Sequence, residues 1–181
     1  ETKALIEGHF ILSSGLHSAK YVQCAQLMSK PIHAKQICQS LVKKIQSEFN
    51  DIDLILSPAM GGIIVGYEMG KLMGIETIFS ERVDGKFQLR RDFKIKQGSN
   101  VLIVEDVITT GKSSIECSKL VTINKANISG YACIIDRSNG RTEIKDKIIS
   151  QIRLNIPTFK KENLPKELIA INPVKPGSRN I

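Results

Sequence analysis

VLIVEDVITTGKS, from Val101 to Ser113, sets four apolar residues against an acidic pair, two threonines and a glycine before a helical pattern begins. The run Val101 to Val104 reads as a buried strand, with Glu105 and Asp106 at its carboxyl end, and the spacing from about Lys112 to Ile123 reads as a helix. A strand that turns through glycine into a helix aims several backbone N–H groups at one point, which is what a phosphate monoester requires. Gly111 permits close approach, and Thr109, Thr110 and Ser113 add hydroxyl donors. Two neighbouring carboxylates would accept hydrogen bonds from vicinal sugar hydroxyls and attract Mg²⁺. The plainer alternative is a strand-to-helix turn with solvated acids and capping threonines.

Gly111-Lys112-Ser113 has the ending of a P-loop. That motif needs a glycine five positions before Gly111, where this sequence has Asp106, and a carboxylate there would face the phosphates. An NTPase is excluded on that ground.

Outward from this segment, strands and helices alternate. Pro31 to Phe49 carries a helical stripe, Ile52 to Leu56 is a short strand closed by Ser57 and Pro58, and Ile63 to Met73 is helix-compatible. Ile75 to Phe79 and Tyr131 to Ile135 are further strand candidates. The alternation predicts one α/β domain over residues 1–181, an open, mostly parallel sheet flanked by helices, with ligands outside the carboxyl ends of its strands. Ser80 to Gln97 is a basic excursion, either a solvated hairpin or a mobile loop, and the proline-rich tail from Pro157 is expected to be largely irregular.

The chain of 181 residues is 41% apolar and 24% charged, ordinary values for a folded domain. Cys24, Cys38, Cys117 and Cys133 form no metal-ligand or disulfide pattern, which fits buried thiols in a reducing cytoplasm. His9, His17 and His33 are not spaced as a metal site. The net charge of +8 suits nucleic acid, an anionic membrane or small polyanions and does not choose among them. No apolar run approaches a membrane span, no signal peptide is evident, and the opening on Glu1 leaves room for native residues upstream. The sequence has no aromatic platform, zinc knuckle or helix-turn-helix pattern for nucleic acid.

The motif VLIVEDVITTG resembles the phosphoribosyl pyrophosphate (PRPP) motif of type I phosphoribosyltransferases. GHFILSSGLHSAKY (Gly8 to Tyr21), SERVDGKFQLRR (Ser80 to Arg91), IIDRSNG (Ile134 to Gly140) and KPGSR (Lys175 to Arg179) together resemble the bacterial orotate phosphoribosyltransferases, in order and over nearly the whole chain. The resemblance implies that fold, with a small hood from both termini and a flexible loop. It also implies a cytoplasmic homodimer making orotidine 5′-monophosphate and pyrophosphate from orotate and PRPP, with Mg²⁺ held through the PRPP pyrophosphate, in pyrimidine biosynthesis.

By that resemblance Glu105 and Asp106 hold the ribose hydroxyls, and Val107, Ile108, Thr109, Thr110, Gly111, Lys112 and Ser113 hold the 5′-phosphate. Ala59, Met60 and Gly61 form the pyrophosphate turn, although a strand-to-helix turn needing glycine accounts for them equally. Thr109 and Arg137 contact orotate, the guanidinium fork suiting a planar carboxylate. Arg82 and Lys86 lie on a basic loop that closes over PRPP and reaches the neighbouring subunit's site; with Asp106 they are the expected catalytic residues. Val83, Gln88, Gly61 and Ser13 depart from better-known members and leave the number of charged pyrophosphate contacts open. Two other readings stand beside this one: a phosphoribosyltransferase for purines or another base, and a PRPP-sensing regulator that binds nucleic acid.

Overall fold

Residues 4–12 and 14–176 are described by the computed structural model. They run β1 (Leu5–Ile11), β2 (His17–Val22), α1 (Cys24–Met28), α2 (Pro31–Gln46), β3 (Leu54–Pro58), α3 (Gly61–Met73), β4 (Glu76–Val83), β5 (Lys86–Leu89), β6 (Asn100–Ile108), α4 (Lys112–Ile123), β7 (Asn127–Asp136), β8 (Ile148–Arg153) and α5 (Lys166–Ile169). The chain groups into two compact units, Met28–Leu154 and a second built from Glu1–Leu27 with Asn155–Ile181.

The larger unit is a six-stranded sheet in the order β5-β4-β3-β6-β7-β8. All pairings are parallel except β4 with β5, so the expected open, mostly parallel sheet is what the chain forms. From β3 the chain steps outward to β4, then returns to place β6 on the other side of β3. The carboxyl ends of β3 and β6 therefore flank the point where strand order reverses, the usual ligand crevice of such sheets.

Continuous apolar strands belong in a sheet covered on both faces, and every residue of β3 is buried, as are Val101 to Val104 of β6. α2 enters through Pro31 at its first turn, turns Ala34, Cys38, Leu41, Val42 and Ile45 inward, and ends on Lys43 and Lys44, cations that suit a helix C-terminus. In α3, Gly66 and Gly70 let the helix press onto Ser57 and Thr77, where a Cβ has no room. Cys117 and Val121 of α4 pack on the other face with Leu54, Leu56, Ile78, Phe87 and Ile103. Removing a buried side chain of this kind, as in Ile103→Ala, costs about 2–5 kcal/mol.

The basic excursion is a hairpin on the sheet edge. Asp84 (φ 48°) and Gly85 (φ 77°) both take the positive φ that a two-residue type I′ turn demands. Arg91 grips Glu81 through a two-bonded fork of 3.1 and 3.0 Å, which holds the Glu81 carboxyl below its usual range.

In the unit built from both ends, β1 and β2 pair antiparallel, and the tail is sewn onto them. His17 and Phe159 exchange backbone hydrogen bonds of 2.8 Å, and Val174 donates to the His9 carbonyl at 2.8 Å. His9 Nδ1–H donates to the Ile171 carbonyl at 2.9 Å, which leaves its Nε2 to accept from His17 Nδ1–H at 2.6 Å; both rings are buried. The tail is otherwise irregular, as expected, apart from a 3-10 turn at Lys161–Asn163 and α5. Ser13 and residues 177–179 of the KPGSR motif lie outside the described residues.

Candidate active site

β6 outruns its apolar segment. The sequence ends the strand at Val104 with Glu105 and Asp106 at its carboxyl end, whereas the strand runs on: Glu105 is level with Cys133 of β7, and the ladder continues to Ile108 opposite Asp136. The apolar run stops at Val104 because Glu105 and Asp106 leave the core, not because the strand ends; Ile108 returns to it. Strand alternation then sends the two acids to opposite faces. Glu105 turns toward α4, where it accepts a hydrogen bond from the Ser114 hydroxyl. Asp106 turns toward the loop after β3, and a Cβ built on Gly61 would lie 2.5 Å from its Oδ2.

That loop, Ala59 to Gly61, is tied to the next strand by the Ala59 N–H, which donates to the Ser80 carbonyl at 2.8 Å. The Ala59–Met60 peptide is cis, and Met60 is 82% exposed. The glycine at position 61 gives the loop its close passage over Asp106. Burial pushes the Asp106 carboxyl above its usual range, and the Val107 N–H, donating to Oδ1 at 2.9 Å, pulls the other way.

The turn after β6 is held from outside. The Thr110 carbonyl accepts from the Thr142 hydroxyl and the Glu143 N–H, each at 3.1 Å. Gly111 caps α4 at φ 80°, and a Cβ there would lie 2.5 Å from Thr142 Oγ1. Gly111 has no side chain to cap the helix, the Lys112 N–H donates to Thr110 Oγ1 at 3.3 Å, and Thr109 and Thr110 are exposed beside this helix start, the kind of position that offers N–H groups to an anion. Ser113 and Lys112 continue the same turn.

Arg137 follows β7, and its N–H donates to the Ile108 carbonyl at 2.8 Å, which sets it level with Thr109. Asp136 beside it accepts from the Ser138 N–H at 2.8 Å and pairs with Arg153 at 3.5 Å. Lys86 opens β5 opposite Val83 and is exposed. Arg82 on β4 meets Glu116 of α4 at 2.7 Å, stacks 4.1 Å over the Phe87 ring and donates to the Gly85 carbonyl at 2.6 Å.

The fold thus brings Ala59, Met60, Gly61, Asp106 and the 107–113 turn to one end of the sheet, with Arg137 alongside and Arg82 and Lys86 on the edge hairpin. Sequence reading missed Ser114, Glu116 and Thr142. Ser114 continues the hydroxyl pair begun by Ser113 and was open to notice; Glu116 and Thr142 act across folds of the chain that leave no local pattern. Among the described residues no group of three or more His, Cys, Asp or Glu side chains forms a metal cage. A hard divalent cation here would draw most of its oxygens from a ligand, with Asp106 the nearest protein carboxylate to the Gly61 turn.

The phosphoribosyl transferase domain profile matches residues 28–165. An orotate phosphoribosyltransferase of Rhizorhabdus wittichii is 46% identical over 178 residues, 98% of this chain and 91% of that protein. In fold, the chain resembles the crystal structure of orotate phosphoribosyltransferase from Aeropyrum pernix (TM-score 0.73, 20% identity, covering 84% of this chain and 89% of that one). It also resembles adenine phosphoribosyltransferase from Thermoanaerobacter pseudethanolicus (TM-score 0.66, 18% identity, 75% and 88% covered).

Proposed function

The chain belongs to the phosphoribosyl transferase family, and from that premise we propose that it is an orotate phosphoribosyltransferase, joining the ribose 5-phosphate of PRPP to orotate and releasing pyrophosphate in pyrimidine biosynthesis. The observation that carries the reading is the convergence of the Gly61 turn, Asp106 and the glycine-led start of α4 where strand order reverses. The choice of orotate rests on the 46% identical relative and on Arg137, since the shared fold alone embraces adenine enzymes as well.

Displacement at the anomeric carbon passes through an oxocarbenium-like state, with pyrophosphate leaving one face and the base nitrogen arriving at the other. No protein nucleophile is required; positioning and charge do the catalysis. Asp106 accepts from a ribose hydroxyl and its negative charge favours the cationic ring. Glu105, on the opposite face, is engaged by Ser114 and steadies the start of α4. The N–H groups and hydroxyls from Thr109 to Ser113 hold the 5′-phosphate, and the peptide groups of Ala59 to Gly61 face the diphosphate. Arg137 offers its fork to the orotate carboxylate beside Thr109. Lys86 and Arg82 stabilise the departing pyrophosphate. Mg²⁺, bound through the diphosphate and within reach of Asp106, would neutralise part of the leaving group's charge.

A homodimer is the working assembly in this reading, with the basic hairpin serving the neighbouring site. Met60 (82% exposed), Ile64 (52%) and Tyr67 (66%), one stripe along the start of α3, are suited to subunit contact. The four cysteines, all buried and none in a disulfide, suit a reducing cytoplasm. Among the described residues no helix is long and apolar enough to cross a membrane. The experiment is product formation from PRPP with orotate, adenine, hypoxanthine and uracil offered separately, and turnover confined to a purine would overturn the orotate reading.

A further inference from the structure

Two Arg–Glu pairs hold the edge hairpin, and they are built differently. Arg91 and Glu81 share an aligned fork with two hydrogen bonds. Arg82 meets Glu116 by charge alone: the 2.7 Å approach of Nη2 to Oε2 lies off the hydrogen-bond line, and that buried oxygen finds no hydrogen-bond donor. A carboxylate paired by charge but not by geometry is a weak lock. The Arg82 guanidinium is otherwise supported by the Phe87 face and the Gly85 carbonyl, and its side chain keeps 34% of its exposure. Glu116, for its part, projects one helical turn after Ser113, from the helix whose first turn makes the phosphate cradle.

We propose that Glu116 is a positioning residue that serves Arg82 as a stand-in anion, and that Arg82 exchanges the Glu116 carboxylate for diphosphate when PRPP or pyrophosphate binds. Phe87 and Gly85 support the guanidinium from within the hairpin, so giving up Glu116 leaves these contacts in place and frees Arg82 for the diphosphate at the neighbouring subunit's site. Diphosphate wins because it carries more charge and offers oxygens along the fork. Glu116 resists it by occupying Arg82. The Arg91–Glu81 fork, already aligned, keeps its partner.

The inference rests on the transferase reading, and inorganic pyrophosphate with fixed Mg²⁺ is the probe that separates the two. Calorimetric titration of Glu116→Gln, which keeps the size and loses the charge, should give a pyrophosphate Kd about three- to tenfold lower than wild type, with the PRPP KM falling alongside and the orotate KM unchanged. Glu116→Asp, which keeps the charge, should restore the wild-type value. In an Arg82→Ala background the same Gln substitution should change Kd by less than about twofold, because the two residues act as a pair. Glu116→Ala supplies a second neutral variant should the Gln protein fold poorly. Unchanged or weaker binding in the neutral variants, or a gain that persists undiminished without Arg82, would overturn the exchange. A wild-type protein that binds no pyrophosphate contradicts the transferase reading and this inference together; wild-type binding indifferent to Glu116 contradicts this inference alone.

Discussion

The backbone N–H of Arg137 donates to the carbonyl of Ile108 at 2.8 Å, so the residue that follows β7 is pinned beside the residue at which β6 ends. Thr109, next in the chain, shares that level. A charge-assisted contact from Arg137 to orotate is worth ~1.5–3 kcal/mol, so Arg137→Ala should raise the orotate KM about 10- to 100-fold. The PRPP KM should stay within about twofold, and Arg137→Lys should recover only part of the loss, because an ammonium cannot reproduce a planar fork. Initial rates against orotate at saturating PRPP decide it.

Asp106 should trade stability for binding. Its carboxyl is raised by burial, so the folded protein holds the proton more tightly than the unfolded chain. The stability linked to that proton is complete below the unfolded-state pKa and is lost as pH rises through the folded one. At neutral pH the ionised group therefore costs stability, and Asp106→Asn should melt at a higher temperature than wild type while kcat/KM for PRPP falls by about tenfold or more. In the wild type, PRPP affinity should weaken as pH falls through the raised pKa, and the Asn variant should lose that dependence. Thermal melts and a pH series of PRPP binding are the checks.

Gly61→Ala would set a methyl carbon 2.5 Å from Asp106 Oδ2, closer than any carbon sits to a carboxylate oxygen without movement. The carboxyl must turn away or the loop must lift. The PRPP KM should rise about tenfold, equivalent to ~1.4 kcal/mol, with the orotate KM little changed. A variant with wild-type PRPP kinetics would show that the turn does not serve Asp106.

Lys86 opens β5 and is exposed, so its removal disturbs no core. If it stabilises charge on departing pyrophosphate, Lys86→Ala should lower kcat by about tenfold or more at unchanged melting temperature and unchanged orotate KM. Single-turnover rates separate this from an effect on product release.

Much of the fold was legible because β3, β6 and β7 are continuous apolar runs and α4 begins at a glycine that its spacing marks. β8 escaped notice: Ile148–Arg153 breaks its apolar pattern with Ser150 and Gln151, as a half-covered edge strand does. The carboxyl half of β6 escaped because Glu105 and Asp106 interrupt its apolar pattern while its backbone still pairs with β7. In the site, the acidic pair and the 109–113 turn announce themselves locally. The separation of Glu105 from Asp106 onto opposite faces follows from alternation once the strand is known to continue. The partnership of Arg82 with Glu116 had no local signature, because it spans the hairpin, a loop and a whole strand.

Transfer to orotate is the central claim, and steady-state turnover of orotate with PRPP, in the presence and absence of Mg²⁺ and against adenine, hypoxanthine and uracil, tests it most directly. The account predicts Mg²⁺-dependent loss of orotate with stoichiometric pyrophosphate, and little product from the other bases. Turnover of a purine with none of orotate would contradict it.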